Sequence, residues 1–140
     1  ETAIFALDDE SEGTQKLFFL LGPILDTLAN GRVLVIDEME ARLHPLMTRA
    51  VIGLFNSPKT NPKRSQLIFT THDTNLLSNK FFRRDQIWFI EKDRQGSSHL
   101  YSLAELKVRN DASFEDDYIE GRYGAIPFIG NIRQIDLGEE

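Results

Sequence analysis

A chain of 140 residues with 22 acidic and 16 basic side chains, net charge −6, has room for one modest core and lacks the positive field that bulk capture of nucleic acid needs. It has no cysteine, which excludes disulfides and thiolate metal sites and fits a reducing cytoplasm, the location expected for it. Its longest apolar run, Leu17 to Leu25, is broken by Gly22-Pro23 and is too short to cross a bilayer, so no membrane partner is expected.

The chain opens on Glu1 rather than Met and is expected to be a piece of something longer. "TAIFAL" (2–7) predicts a short strand, and "DDESEG" a polar turn. From Thr14 onward, Leu17, Leu20, Leu21, Ile24, Leu25 and Leu28 recur at helical spacing. Gly22-Pro23 predicts a kink in that helix, and Asn30-Gly31 its stop. "VLVI" (33–36) is apolar without alternation, which predicts a strand buried on both faces of a parallel sheet. Pro45 opens a second helix with Leu46, Ala50, Val51 and Leu54 on one face. Lys59, Lys63 and Arg64 lie in "SPKTNPKRS", where Pro, Ser and Asn predict a solvated loop rather than a basic patch. "QLIFTT" (66–71) reads as a second buried strand, and "QIWFIEK" (86–92) with "SHLYSL" (98–103) as a hairpin around "DRQGS". Beyond Asn110 one short helix and irregular chain are expected.

Alternating strands and helices predict an α/β sheet with right-handed crossovers, whose functional residues gather at the carboxyl ends of the strands. Two strands end in polar groups: "VLVI" in Asp37-Glu38, and "LIFT" in Thr71-His72-Asp73. As parallel neighbours they would bring those groups to one edge. Adjacent carboxylates there can divide the work of a magnesium-dependent phosphoryl chemistry, one holding the ion and one acting on water. The plainer reading is a loop start with Glu38 paired to Arg42. His72, between Thr70-Thr71 and Asp73, has neighbours able to hold its ring by hydrogen bonds; the plainer reading is a loop histidine. In "SEGTQK" (11–16) Ser11 is a candidate helix cap, and Gly13 lets the backbone come close to a ligand at the free amides of the helix start. The plainer reading is a capped helix alone.

Taken in order, "SEGTQK", "VLVIDE", "EARLHP" and "FTTHD" resemble the signature motif, Walker B, D-loop and switch histidine of the distal half of an ABC-type P-loop ATPase domain. The wording is closest to the cytosolic AAA15/AAA21-like and OLD-like group, many of whose members are tied to DNA repair, phage defence or toxin-like systems. The resemblance covers about Ser11 to Asp73, and "YIEGRYGAIP" (118–127) also looks like the C-terminal block of that group. It implies a partial P-loop NTPase sheet with mostly parallel central strands, helices packed on it and a C-terminal hairpin. Residues 1–109 would be the ATPase half-domain and 110–140 a C-terminal helix and tail.

The resemblance further implies that Asp37 holds Mg2+ through water, that Glu38 polarises the attacking water, and that His72 touches the γ-phosphate of ATP. Ser11 and Gly13 would cap ATP bound by a second copy in a head-to-tail homodimer, with Ala41 to His44 running along that interface. A nucleic acid or a toxin or nuclease are further expected partners of the whole protein.

Two positions depart from the usual signature S-G-G-Q: Glu12 stands for a Gly and Thr14 for the Gln, while His44 stands near the usual D-loop Asp. The phosphate-binding G-x-x-x-x-G-K-[ST] is missing, since none of the nine glycines is followed by Lys. The chain is therefore expected to need an N-terminal half with that loop and to be inactive alone. Two other readings stay open at this level. One is a metal-dependent nuclease or phosphoesterase built from Asp37, Glu38, Glu40, His44, His72 and Asp73. The other is a non-catalytic regulatory module.

Overall fold

The computed structural model describes residues 6–108 and 113–126, and the chain divides into two compact units, Glu1–Thr74 and Asn75–Glu140. The strand expected at 2–7 falls mostly outside the described residues; Leu7 opens a single 3-10 turn, Leu7–Asp9.

In the first unit, helix α1 spans Glu12–Asn30. Ser11 caps it, its Oγ accepting from the Thr14 amide at 3.2 Å. Gly31 ends it in the left-handed region at φ 68°, which glycine adopts without a Cβ clash. The expected break at Gly22-Pro23 does not occur, and the helix continues through Pro23. The carbonyl that loses its partner there belongs to Phe19, on the exposed side of the helix, where water can replace the bond.

Strands β1 (Val33–Ile36) and β2 (Gln66–Phe69) pair in parallel, Val33 opposite Gln66 through Ile36 opposite Phe69. Helix α2 (Pro45–Asn56) lies between them in sequence, with Pro45 at its start as expected. The sheet corrects one expectation. Val33, Val35 and Ile68 share a face that is 53%, 70% and 55% exposed, so β1 is buried on one side only. The physical reason is that a single parallel pair makes up this sheet among the described residues, so no further element is left to cover the second face. An unalternating apolar run cannot tell a strand with two covered faces from one with a bare face. Helix α2 corrects another expectation. It buries Thr48, Val51, Ile52 and Phe55, while Leu46 and Ala50 stay exposed. These four follow i, i+3, i+4, i+7 spacing, but a polar threonine heads the stripe and hides it from an apolar count.

The second unit is built on the expected hairpin, β3 (Trp88–Lys92) and β4 (Ser98–Ser102), antiparallel with Phe89 opposite Tyr101. Its core joins Ile87, Phe89, Leu103, Phe114 and Tyr123. Helix α3 (Phe114–Ile119) is the short helix expected after Asn110, and its Ser113 cap accepts from Asp116 N. The 118–126 block has a structural role here. Tyr118 stacks on Phe89 with ring centroids 5.6 Å apart. The Tyr101 hydroxyl donates to the Tyr123 carbonyl at 2.7 Å, and the Tyr118 hydroxyl to the Ala125 carbonyl at 3.0 Å. Gly124, at φ 75°, leaves room for the Tyr101 hydroxyl, which a Cβ would meet at 2.9 Å. Pro127 lies outside the described residues.

The architecture is α/β, with one parallel pair and one antiparallel hairpin in separate sheets. No helix among the described residues is long and apolar enough to cross a membrane.

Candidate functional site

Because β1 and β2 run the same way, their carboxyl ends open on one edge. Pairing continues past both strands: Thr70 N donates to Ile36 O at 3.1 Å, and Met39 N to Thr70 O at 3.1 Å. The Thr70 hydroxyl then works in both directions. It donates to Asp37 Oδ1 and accepts from Glu38 N at 2.8 Å. One step further, Glu40 Oε1 accepts from the His72 amide at 2.7 Å. Four consecutive residues, 37 to 40, are thus each tied to the segment Thr70 to His72.

This clamp brings His72 Nε2 to 3.9 Å from Glu38 Oε1, with both side chains open to solvent. The shared edge expected from the sequence is present. Glu38 sits in the left-handed region at φ 44°, an unfavourable conformation for a non-glycine residue. Its amide is held by Thr70, and its carbonyl accepts from Lys16 Nζ at 3.2 Å.

Several expected contacts go elsewhere. Thr70 and Thr71 do not hold the His72 ring in the way expected: the Thr70 hydroxyl serves Asp37 and the Glu38 amide, while Thr71 Oγ1 accepts from Asp73 N at 3.0 Å. Arg42 pairs with Glu12 at 3.5 Å rather than with Glu38. Glu40 is half-buried. Burial pushes its carboxyl up, but the His72 amide, the Thr71 hydroxyl, its own amide and the His72 ring together outweigh this and hold it below the ordinary carboxylate value.

The start of α1 is fastened to the loop that follows β1. Lys16 Nζ donates to the carbonyls of Glu38, Met39 and Ala41 at 3.2, 3.3 and 2.7 Å. Three donors meet three acceptors, which satisfies the ammonium. Gly13 faces the Arg42 carbonyl so closely that a Cβ would lie 2.8 Å from it. The backbone approach that its glycine permits is thus to this chain's own loop. Ser11 and Gly13 lie by Arg42, whereas Asp37, Glu38 and His72 gather at the strand ends. His44 caps α2, its Nδ1 accepting from Leu46 N at 3.2 Å.

Lys16 was missed in the sequence because its partners are main-chain carbonyls, which leave no side-chain signature. Of the six residues in the nuclease reading, Glu40 and His44 are engaged in holding backbone amides. Among the described residues no group of three or more His, Asp or Glu side chains is arranged to hold a metal ion. Asp37, an exposed carboxylate steadied by a hydroxyl, is instead a single hard oxygen donor. That suits Mg2+, which keeps several waters and takes one or two carboxylates together with phosphate oxygens.

A family model described as "AAA domain, putative AbiEii toxin, Type IV TA system" matches residues 1–78. Those residues include the four motifs between Ser11 and Asp73, and the match bears out the AAA21-like resemblance there; the 118–127 block lies outside it. A comparison with curated proteins finds no match.

Proposed function

Since the chain belongs to this AAA domain family, whose members have an ATPase-related function and bind nucleotide, we propose that Asp37, Glu38 and His72 form the hydrolytic half of an ATP site. The observation that carries the reading is the 3.9 Å approach of His72 to Glu38 at the ends of two parallel strands, clamped through Thr70 and Glu40. Open α/β sheets bind ligands at such an edge.

The roles follow from the chemistry of each group. Asp37 would hold Mg2+ through water, and that ion, when bound, supplies charge neutralisation on the phosphates. Glu38 is exposed, so water can reach its carboxylate, which accepts the proton as the water attacks. The His72 imidazole donates to a γ-phosphate oxygen and so ties the β2 end to the presence of that phosphate. Thr70 keeps Asp37 and Glu38 in register. Ser11 and Gly13 would cap the ATP of a second copy, and Ala41 to His44 would lie along the interface between copies.

The missing G-x-x-x-x-G-K-[ST] has a direct consequence. Backbone amides and a lysine must wrap the phosphates, so we place that loop outside these 140 residues, in a longer cytoplasmic protein acting in phage defence or DNA repair. The test is phosphate release from Mg-ATP. The 140-residue chain should bind ATP weakly and release no phosphate above background, while the longer protein with the loop should turn over. Magnesium-dependent turnover by the 140-residue chain would overturn the half-site reading.

A further inference from the structure

His72 is 87% exposed at its side chain, so packing does not decide where its ring points. Its main chain sets where the side chain starts and so the space the ring can reach. Beyond Thr70, the β2 exit is tied back to the β1 loop at Glu40, whose Oε1 accepts from the His72 amide at 2.7 Å and whose carboxyl the Thr71 hydroxyl also reaches. The Asp73 amide bond to Thr71 Oγ1 is local and cannot supply that tie. Glu40 is well anchored for the task. The Met39 amide before it is bonded to Thr70 O, its own carbonyl accepts from Leu43 N at 2.9 Å, and Lys16 grips the carbonyls of Met39 and Ala41 on either side. Its bond to His72 is short and charge-assisted, the stronger kind.

We infer that Glu40 is a positioning residue: it holds the His72 amide and thereby keeps the His72 ring within reach of Glu38 and of the phosphate placed between them. The functional part of this inference rests on the ATP-site reading; the geometric part does not. The role requires an acceptor oxygen at position 40, not a negative charge. A metal ligand or general base there would need the carboxylate itself. Glutamine, whose amide oxygen accepts hydrogen bonds, separates the two roles.

The experiment is NMR on the 140-residue chain as wild type, Glu40→Ala and Glu40→Gln. It reads hydrogen exchange at the His72 amide and the nuclear Overhauser contact between the His72 ring and the Glu38 side chain. In Glu40→Ala the His72 amide should exchange roughly tenfold to a hundredfold faster, as loss of a bond to a charged group requires, and the ring contact should vanish. The Gln66 and Thr70 amides, bonded to Arg32 O and Ile36 O, should keep their protection. Glu40→Gln should restore both the His72 amide and the ring contact. Persistence of the ring contact in Glu40→Ala, or failure of Glu40→Gln to restore it, overturns the inference. Should Glu40→Ala also release Thr70, Glu40→Gln alone decides: a retained contact supports the role, a lost one overturns it. If these results hold while removal of the Glu38 carboxylate leaves hydrolysis unchanged in the longer protein, the ATP-site reading fails and the positioning role stands.

Discussion

Replacing Gly13 with alanine sets two known effects against each other. Alanine is the better helix former, by up to about 1 kcal/mol, so propensity alone predicts stabilisation near the start of α1. The structure predicts the reverse. The new Cβ would lie 2.8 Å from the Arg42 carbonyl, where ordinary contact begins at 3.4 Å. The loop cannot easily yield, because Lys16 holds three of its carbonyls and Arg42 itself stands at φ 64°. Overpacking of this kind costs about 1–3 kcal/mol, which leaves a net loss of up to about 2 kcal/mol after the full helix gain. Gly53, in the interior of α2, is the internal control: a Cβ there meets nothing within 4 Å. Gly53→Ala should therefore stabilise by about 0.5–1 kcal/mol. Urea unfolding followed through amide signals of the first unit reads both variants. With a slope of about 1 kcal/mol/M, the midpoints should move in opposite directions, down by up to about 2 M and up by about 0.5–1 M. A Gly13→Ala midpoint at or above wild type would refute the reasoning.

Lys16→Met keeps the apolar stem and removes the three carbonyl bonds. Losing about 2 kcal/mol of charge-assisted bonding, with water repairing part of the loss, should speed exchange at the Ala41 and Leu43 amides about thirtyfold; a change below about threefold would contradict the role given to Lys16. In the second unit, burial and then the Asp117 hydrogen bond push the Tyr123 hydroxyl up from 10.0 to about 12. A folded value above the unfolded one means stability present below pH 10 and lost as pH climbs through about 12. Alkaline unfolding of the unit should show that step, and Tyr123→Phe should flatten it.

What could be read from the sequence is what local chemistry decides. Ser11 as a cap and Gly31 as a stop follow from the chemistry of helix ends, and both stand where the residues put them. The polar strand ends at Asp37-Glu38 and at Thr70 to His72 were legible because the apolar runs 33–36 and 67–69 stop there and polar residues follow at once. The bare Val33/Val35/Ile68 face was not legible, because a run of apolar residues records what a strand could bury and not what covers it. The buried side of α2 was misread because Thr48 occupies a core position. Gly13 was read as letting the backbone come close to a ligand; within this chain, the Arg42 carbonyl is what comes close to it. Contacts such as Glu40 to His72 join positions 32 residues apart. Neither residue carries a local mark of the other.

The most direct test of the central claim is Glu38→Gln in a protein that joins this chain to the phosphate loop proposed for it, measured for both Mg-ATP turnover and ATP binding. Removing a positioned general base costs roughly 10²- to 10⁴-fold in rate, so turnover should fall by that factor while ATP binding is kept. Turnover within a few fold of wild type would show that the carboxylate beside His72 is not the group that acts on water.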